Sequence, residues 1–202
     1  MIVAIVPAAG KSSRMQRSKP LLPIDGRPMI GRIVETLKQG GAEWVFVLIP
    51  PENRPESAAI FDAVAESGGT VIELGTETAD MRSTIQFGLD TLAAVFEPTT
   101  VLLCPGDTPG IDCGLVKRII EECRRHPNAI VVPRAGAKRG HPVAIPWSAA
   151  LSIRDLPPDK GVNALFDDPN RSVREVVVDD PNVLADLDTP DDFRRWSERR
   201  AL

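Results

Sequence analysis

Short apolar runs alternate with amphipathic segments along the first 125 residues of the chain. The runs are rich in valine and isoleucine, as buried strands are, whereas the segments repeat apolar residues every three or four positions, as helices do. This order predicts a parallel sheet joined by right-handed crossovers. Ligands of such sheets bind beyond the carboxyl ends of the strands, so functional residues are expected in the loops that follow strands. The predicted strands are 2–6, 44–49, 70–74 and 99–104, and the predicted helices start near Pro28, cover 56–66 and 80–94, and follow Asp112.

The pattern changes after residue 128, where a polar loop rich in cations and glycine separates two apolar runs. Near the C-terminus, Thr189 is suited to cap a final helix with Pro190 in its first turn. No internal repeat or linker-like stretch interrupts the sequence, so we expect one domain over residues 1–202. The additional strands are predicted at 129–133, 142–146 and 173–178, and the polar loop covers 134–140.

The loop after the first predicted strand has the composition of a polyphosphate-binding loop. The stretch from Pro7 to Met15 combines small residues, one glycine and cationic side chains, and Lys19 follows shortly afterwards. Small side chains let backbone N–H groups approach an anion, and lysine or arginine neutralises its charge. The Gly-Lys-Ser triplet at 10–12 is not a Walker loop, because that motif needs a second glycine five residues earlier, where this chain has Ile5.

Five segments of the chain carry a resemblance to a known family. They are AAGKSSRM…SKPLLPIDGRPMI at 8–30, DMRSTIQFGL at 80–89, VLLCPGDTP at 101–109, RGHPV at 139–143 and ADLDTPDD at 185–192. On these segments the chain resembles the MobA/MocA-like nucleotidyltransferases, and in particular the molybdenum cofactor cytidylyltransferases. The resemblance implies a Rossmann-like, mostly parallel sheet with helices on both faces, of the nucleotide-diphospho-sugar transferase type.

The resemblance also implies a reaction. A nucleotidyltransferase moves a nucleoside monophosphate from a nucleoside triphosphate to a small phosphorylated acceptor, such as molybdopterin, and releases pyrophosphate. Such enzymes mostly align the reactants and neutralise charge. By resemblance, backbone groups of Ala8 and Ala9 are expected to read the base. The β- and γ-phosphates are assigned to Gly10, Lys11, Ser12 and Arg14, and the α-phosphate to Lys19.

Two acidic residues are expected to hold Mg²⁺. Asp107 follows the fourth predicted strand and precedes a Thr-Pro-Gly turn, a position from which a carboxylate can hold the ion against triphosphate oxygens. Asp188 is the second carboxylate, by resemblance to the Asp-x-Asp-Thr-Pro segment of the family. Structural alternatives stay open, because Asp107 can order its own turn and Asp188 can stabilise the start of the last helix. Arg14, Lys19 and Asp107 form the expected catalytic group.

Two further pairs are candidate binding residues. Arg82 and Ser83 lie near the start of a predicted helix, where unpaired N–H groups favour anions, and the resemblance places them beside the base and ribose. The alternative for Arg82 is an ordinary exposed arginine. Arg139 and His141 match the cytidylyltransferase pattern and are assigned to the acceptor, although a solvated hairpin is the alternative. His141 is a weak candidate for a general base, because a phosphate acceptor is already a nucleophile at neutral pH.

The composition argues against several other classes of protein. A net charge of −4 gives no basic field for a phosphate backbone, so no nucleic-acid partner is expected. No apolar run approaches ~18 residues and the N-terminus enters a strand directly, so neither a membrane span nor a signal peptide is expected. Three cysteines without a CxxC spacing suit a reducing, cytoplasmic location. Both a monomer and a homodimer stay open.

Alternative functions also stay open. Among enzymes the alternative is a sugar-1-phosphate nucleotidylyltransferase, and from a different class the chain can be a nucleotide-binding regulator without turnover. The Asp-Leu-Asp triplet at 186–188 also occurs in metal-dependent glycosyltransferases, but in those enzymes the cationic first loop would have no triphosphate to neutralise. Among nucleotides CTP is favoured, because Ala8-Ala9-Gly10 lacks the second glycine that guanylyl-transferring relatives often have.

Overall fold

The computed structural model describes residues 1–11, 15, 17–179, 181 and 185–200, without the side chains of residues 199 and 200. The strands are β1 (Ile2–Pro7), β2 (Pro23–Ile24), β3 (Arg27–Pro28), β4 (Trp44–Ile49), β5 (Thr70–Glu73), β6 (Thr100–Leu103), β7 (Ala129–Ala135), β8 (Lys138–Arg139), β9 (Val143–Pro146) and β10 (Ser172–Val177). The helices are α1 (Met29–Gln39), α2 (Ser57–Glu66), α3 (Met81–Ala93), α4 (Cys113–Arg125), α5 (Trp147–Leu151) and α6 (Pro190–Arg200). Short 3-10 turns cover Lys19–Leu21, Ser152–Asp155 and Val162–Phe166.

The main sheet has the strand order β10-β7-β9-β6-β1-β4-β5, and the short β8 pairs with β7. β1 pairs in parallel with β4 and β6, β4 pairs in parallel with β5, and β7 with β10. β9 runs antiparallel to both of its neighbours, and β8 runs antiparallel to β7. The sheet is therefore mixed but mostly parallel, which confirms the predicted α/β class. A hydrophobic run predicts a strand without its direction, so the reversal at β9 had no signal in the sequence.

Apolar clusters cover both faces of the sheet, because successive side chains of a strand point to opposite faces. On β1, Ile2, Ala4 and Val6 belong to one cluster, whereas Val3 and Ile5 belong to the other. Helices α1, α2 and α4 contribute to the first cluster, and α3 and α5 contribute to the second. Each fully buried valine, leucine or isoleucine contributes about 1.5–3 kcal/mol to folding. The prediction of helices on both faces is confirmed.

Side-chain caps fix where three of the helices begin. Asp80 before α3 and Asp112 before α4 each accept a hydrogen bond of 2.7 Å from the backbone N–H three residues ahead. At the start of α6 the N–H of Thr189 donates to the Asp192 carboxylate at 2.8 Å, and the N–H of Asp192 donates to the Thr189 hydroxyl at 3.2 Å. This reciprocal pair is a capping box, and it confirms the predicted start of the last helix.

A small hairpin separates the first loop from α1. β2 and β3 pair around Asp25 and Gly26, whose φ angles of 51° and 78° are left-handed. Pro28 ends this hairpin in an extended conformation with a ψ of 134° and stands immediately before α1. The helix predicted to start near Pro28 begins one residue later, at Met29, because the hairpin keeps Pro28 outside the helix.

The helices of the described residues are too short or too polar to cross a membrane. A membrane-spanning helix needs ~20 apolar residues. The helices α3 and α4 have 13 residues each, and each buries one face on the sheet.

Candidate active site

The loops that follow β1 and β6 meet at the carboxyl edge of the sheet. The N–H of Gly106 donates to the carbonyl of Pro7 at 3.1 Å, and the N–H of Ala8 donates to the carbonyl of Leu48 at 2.9 Å. A Cβ atom at Gly106 would lie 3.2 Å from the Ala8 Cβ and 3.3 Å from the Pro7 oxygen, so this close approach favours glycine. The first loop and the turn that carries Asp107 are therefore in direct contact.

Lys19 lies between two carboxylates from distant parts of the chain. Its Nζ is 3.1 Å from Asp107 Oδ2 and 2.6 Å from Asp188 Oδ1, and its side chain is only 14% exposed. Burial alone would lower the pKa of Lys19, but the hydrogen bonds and negative charge of Asp188 and Asp107 outweigh burial, so the pKa is raised. Lys19 is thus a protonated ammonium group at neutral pH. The structure brings these three predicted site residues together.

The segment before α6 places Asp188. The N–H of Leu187 donates to the carbonyl of Asp107 at 3.0 Å, and the Leu187 side chain is buried in the same apolar cluster as α1. On the other side of Asp188, Thr189 caps α6, whose Trp196 is buried in that cluster as well. Asp188 is therefore fixed by its neighbours on both sides.

Asp107 and Asp188 form a pair of oxygen donors that fits a small cation. One oxygen of each carboxylate contacts the same ammonium nitrogen, so a cation near that position can contact both. Mg²⁺ takes oxygen ligands and is usually held by one or two carboxylates, with water and substrate phosphates completing its shell. Among the described residues, no group of three or more acidic, histidine or cysteine side chains could hold a metal. The pair therefore suits an ion that a phosphate ligand helps to bind.

A second group of polar side chains adjoins this pair. Lys138 Nζ is 3.7 Å from Asp186 Oδ2. Burial raises the pKa of Asp186, Lys138 opposes this shift, and the negative charge of Asp107 adds to it. His141 Nδ1 lies 3.3 Å from the carbonyl of Leu103, and burial lowers the pKa of His141. His141 is therefore neutral at pH 7, and we assign its proton to Nδ1 because the carbonyl can only accept.

A cavity of about 270 Å³, here called the first-loop cavity, lies between the first loop and the start of α3. Ala9, Gly10 and Lys11 line it on the side of the loop. Lys11 Nζ is 2.7 Å from Glu77 Oε2, and Glu77 Oε1 also contacts Arg54 Nη1 at 2.8 Å. The cavity is thus bordered by a lysine that already has an acidic partner.

A second cavity of about 550 Å³, here called the apolar cavity, opens beside β6 and β9. Arg139 and His141 lie in its wall. Arg139 Nη2 contacts Glu175 Oε1 at 2.9 Å, and the Arg139 guanidinium lies 5.4 Å from the centroid of the Phe166 ring. Most of the remaining lining is hydrophobic and comes from Met81, Ile85, Leu103, Val132, Val143, Ile145 and Val162.

Arg82 and Ser83 are engaged by other parts of the protein. The N–H and hydroxyl of Ser83 donate to the Asp80 carboxylate at 2.7 and 2.8 Å and complete the cap of α3. Arg82 lines the apolar cavity, and its guanidinium donates to backbone carbonyls of the 156–160 segment. Contact between these two residues and a nucleotide stays a prediction, as do the phosphate- and base-binding roles of the first loop.

Two acidic residues of the site had no signal in the sequence. Glu77 pairs with the first-loop lysine, and Glu175 pairs with Arg139, but neither glutamate lies in a motif. The pairing of β10 with β7 is what places Glu175 near the polar loop, and strand order cannot be read from a hydrophobic run. The predictions for Ser12 and Arg14 fall outside the described residues.

A curated relative matches two thirds of the chain. It is the 8-amino-3,8-dideoxy-manno-octulosonate cytidylyltransferase of Shewanella amazonensis, which is 31% identical over 136 residues. These residues are 67% of this chain and 52% of the relative, so the match spans about half the length of that protein.

Solved structures share the fold over nearly the whole chain. Rv0371c of Mycobacterium tuberculosis is 28% identical with a TM-score of 0.81, and the match covers 98% of this chain and 99% of that one. Rv0371c is also known as a complex with manganese, with a TM-score of 0.75. A CMP:2-keto-3-deoxy-manno-octonic acid synthetase complexed with CTP has a TM-score of 0.79 at 18% identity, covers 99% of this chain and 98% of its own, and shares the fold alone.

These matches confirm the predicted nucleotide-diphospho-sugar transferase type of fold. The family model described as the MobA-like NTP transferase domain matches residues 4–175, from β1 into β10. The match therefore includes both cavities' lining and Asp107, whereas Asp188 lies beyond it. The chain belongs to the MobA-like NTP transferase domain family.

Proposed function

We propose that the chain is a Mg²⁺-dependent nucleotidyltransferase, built as one domain over residues 1–202, that transfers a nucleoside monophosphate to a small phosphorylated acceptor. The observation that carries the proposal is the position of Lys19 between Asp107 and Asp188, where an ammonium group adjoins two oxygen donors. CTP is the favoured donor and a molybdopterin-like compound the favoured acceptor. Family membership supports the class of reaction, and the free cysteines suit a reducing cytoplasm.

The first loop is proposed to hold the triphosphate in the first-loop cavity. Lys11 is bound to Glu77 in the structure, so phosphate binding exchanges one anionic partner of this lysine for another. The lysine therefore has an anionic partner both before and after phosphate binds. Backbone groups of Ala8 and Ala9 face the base in this proposal, and the β- and γ-phosphates bind Gly10, Lys11, Ser12 and Arg14.

The reaction forms a bond between an acceptor phosphate oxygen and the α-phosphorus. The bond from that phosphorus to pyrophosphate breaks, and the leaving pyrophosphate keeps the electron pair. Lys19 neutralises charge at the α-phosphate, and Lys11 and Arg14 neutralise charge on the leaving group.

Asp107 and Asp188 would hold the Mg²⁺ ion, which when bound supplies charge neutralisation and alignment of phosphate oxygens. The manganese complex of Rv0371c supports a divalent ion in this family. Lys19 and the ion would bind the same two carboxylates. Lys19 must therefore exchange these partners for phosphate oxygens in the nucleotide complex.

The apolar cavity is proposed to bind the acceptor. Its lining suits the flat face of a ring system such as a pterin, and Arg139 in its wall offers a cation for the acceptor phosphate. Glu175 orients the Arg139 guanidinium. His141 is neutral and lies in the same wall, and because its proton on Nδ1 faces the carbonyl of Leu103, its Nε2 can accept one hydrogen bond without adding charge.

Cytidylyl transfer to a sugar acid is a second candidate function. The name of the Shewanella relative specifies a cytidylyltransferase for an octulosonate, and this relative matches two thirds of the chain. A sugar-1-phosphate nucleotidylyltransferase would use the same chemistry with another acceptor. A regulator without turnover would bind the nucleotide but release no pyrophosphate.

Pyrophosphate release tests the proposal. CTP, GTP, UTP, ATP and dTTP are each incubated with Mg²⁺ and with molybdopterin, a sugar acid or a sugar 1-phosphate, and release is expected with CTP and molybdopterin. Thermal unfolding with each triphosphate gives a binding readout, because a ligand at 100 times its Kd adds about 2.7 kcal/mol of stability. Stabilisation without pyrophosphate release would favour the regulator. No stabilisation by any of the five triphosphates would contradict triphosphate binding by the first loop.

A further inference from the structure

The first turn of α3 separates the two cavities. Asp80 and Thr84 line the first-loop cavity, Arg82 and Ile85 line the apolar cavity, and Met81 lines both. Successive residues of a helix point about 100° apart, which explains how one turn serves two cavities. Arg82 therefore lies on the side of the turn that faces the apolar cavity.

The guanidinium of Arg82 binds three carbonyl groups of one irregular segment. Its Nη1 donates to the carbonyl of Pro157 at 2.5 Å and to that of Lys160 at 3.1 Å, and its Nη2 donates to the carbonyl of Leu156 at 2.6 Å. The segment lies more than 70 residues from Arg82 in the sequence. A planar guanidinium presents several N–H donors in a fixed fork, which allows one side chain to hold several carbonyls.

The segment that Arg82 holds leads directly into one wall of the apolar cavity. This wall is formed by Gly161, Val162, Asn163, Phe166 and Asp167. Leu165, between them, is buried in the apolar cluster of α3 and anchors one end of the stretch. The other end is the carbonyl segment bound by Arg82. Arg82 is therefore one of the contacts that position the wall, together with buried Leu165 and the partly buried Val162 and Phe166.

We propose that Arg82 is a positioning residue that holds the 156–160 segment and, through it, the cavity wall at 161–167. Arg82 thereby controls which acceptor fits and does not contribute to nucleotide affinity. This inference rests on the proposed function, because it takes the apolar cavity to be the acceptor site. It also differs from the expectation that Arg82 contacts the base or ribose. Loss of the Arg82 guanidinium should weaken nucleotide binding under that expectation and leave it unchanged under this proposal.

The first experiment measures CTP binding with Mn²⁺ by calorimetry in wild type, Arg82→Met and a control variant, Arg154→Met. Arg154 is a matched control, because it lies near the same segment, contacts Asp90 at 3.0 Å and bonds the carbonyl of Leu151. We expect the Kd for CTP to change less than twofold in both variants. A tenfold weaker Kd in Arg82→Met alone would assign Arg82 to the nucleotide and overturn the proposal.

The second experiment needs neither nucleotide nor acceptor. Hydrogen exchange of backbone amides is followed over 161–167, where the N–H of Ala164 and of Asp167 are hydrogen-bonded within the turn. We expect exchange at least tenfold faster in Arg82→Met and unchanged exchange in Arg154→Met. Equal exchange in Arg82→Met and wild type would overturn the proposal, even if no nucleotide were ever found to bind.

The third experiment separates the two substrates in steady-state pyrophosphate release with CTP and molybdopterin. In Arg82→Met we expect the KM for molybdopterin to rise at least tenfold and the KM for CTP to stay within twofold. A rise in the KM for CTP alone would overturn the proposal. If wild type shows no release with molybdopterin, the proposed acceptor is wrong, whereas the first two experiments still decide the role of Arg82.

Discussion

The carboxyl edge of the sheet has two different parts: a charged side, formed by Lys11, Lys19 and their carboxylate partners, and an apolar side, formed by the apolar cavity. Lys11 and Lys19 are each bound to carboxylates of the protein itself on the charged side. On the apolar side Arg139, which lies in the cavity wall, is paired with Glu175, and most of the other lining side chains are hydrophobic. Both lysines of the charged side must therefore exchange carboxylate partners to bind a phosphate, whereas the hydrophobic lining of the apolar side needs no such exchange.

Asp107→Asn gives the largest expected effect on the charged side. Loss of one carboxylate of the proposed metal pair should lower kcat by about 10³-fold or more, because a bound ion would neutralise charge in the transition state. Asp186→Asn is the control, since Asp186 pairs with Lys138 rather than with Lys19. Pyrophosphate release and the melting temperature are measured for both variants. Mg²⁺-dependent activity near the wild-type level in folded Asp107→Asn would remove Asp107 from the metal site.

Lys19→Met should have two opposite effects on the charged side, a lower kcat and tighter binding of Mn²⁺. The variant loses the cation proposed to contact the α-phosphate, so kcat should fall by about 10²–10³-fold. It also removes a competitor for the two carboxylates, so Mn²⁺ without nucleotide should bind about tenfold more tightly. Mn²⁺ binding is measured by electron paramagnetic resonance. Lys138→Met is the control. If its affinity for Mn²⁺ rises as much as that of Lys19→Met, the gain is a general effect of removing a positive charge and does not come from competition for the two carboxylates.

Gly106→Ala tests the contact that joins the two loops of the charged side. The added Cβ would lie 3.2 Å from the Ala8 Cβ and 3.3 Å from a backbone oxygen, so the loops must shift apart. We expect a loss of about 1–3 kcal/mol in the free energy of unfolding, measured in urea. Gly75→Ala is the control, because a Cβ there meets no atom within 4 Å. Equal stability of the two variants would show that the approach at Gly106 is not tight.

Asp192→Asn gives the smallest expected effect, a loss of stability at the start of α6. This helix follows Asp188 directly in the chain. Hydrogen bonds from Thr189 and then Arg195 lower the pKa of Asp192 from 3.8 to about 2. A lowered carboxyl pKa stabilises the fold above pH 3.8, and this contribution disappears as the pH falls toward 2. We expect the variant to lose about 0.5–1 kcal/mol at pH 7, since caps of this kind contribute that much.

The pH dependence of this loss of stability distinguishes the ionised Asp192 carboxylate from other causes of destabilisation in Asp192→Asn. The difference in unfolding free energy between wild type and Asp192→Asn should shrink as the pH falls from 4 toward 2, because the wild-type carboxylate becomes protonated. Urea unfolding at several pH values measures it. A difference that stays constant over this range would contradict a contribution from the ionised carboxylate.

The charged side could be predicted from the sequence to a larger extent than the apolar side. Lys19 and Asp107 follow buried runs that are neighbouring parallel strands, and the motif at 185–192 supplied Asp188 by resemblance. The strand at 44–49 and the caps at Asp112 and Thr189 also lie where local patterns predicted them. These features depend on short-range signals that a sequence contains.

The apolar side depends on long-range packing that no local pattern contains. The carbonyl partners of Arg82 lie in an irregular segment, which has neither periodicity nor motif. Glu175 meets Arg139 only because β10 pairs with β7 and β8 folds back on β7. A residue such as Arg82 was therefore assigned to a ligand from its place in a motif, although its observed partners are backbone carbonyls.

The most direct test of the shared carboxylate pair is the anomalous diffraction of a crystal grown with Mn²⁺ and a non-hydrolysable α,β-methylene analogue of CTP. We expect one manganese peak between Asp107 and Asp188, with Lys19 Nζ moved from these carboxylates to the α-phosphate. A manganese peak elsewhere, or Lys19 still bound to both carboxylates beside a bound nucleotide, would contradict this expectation.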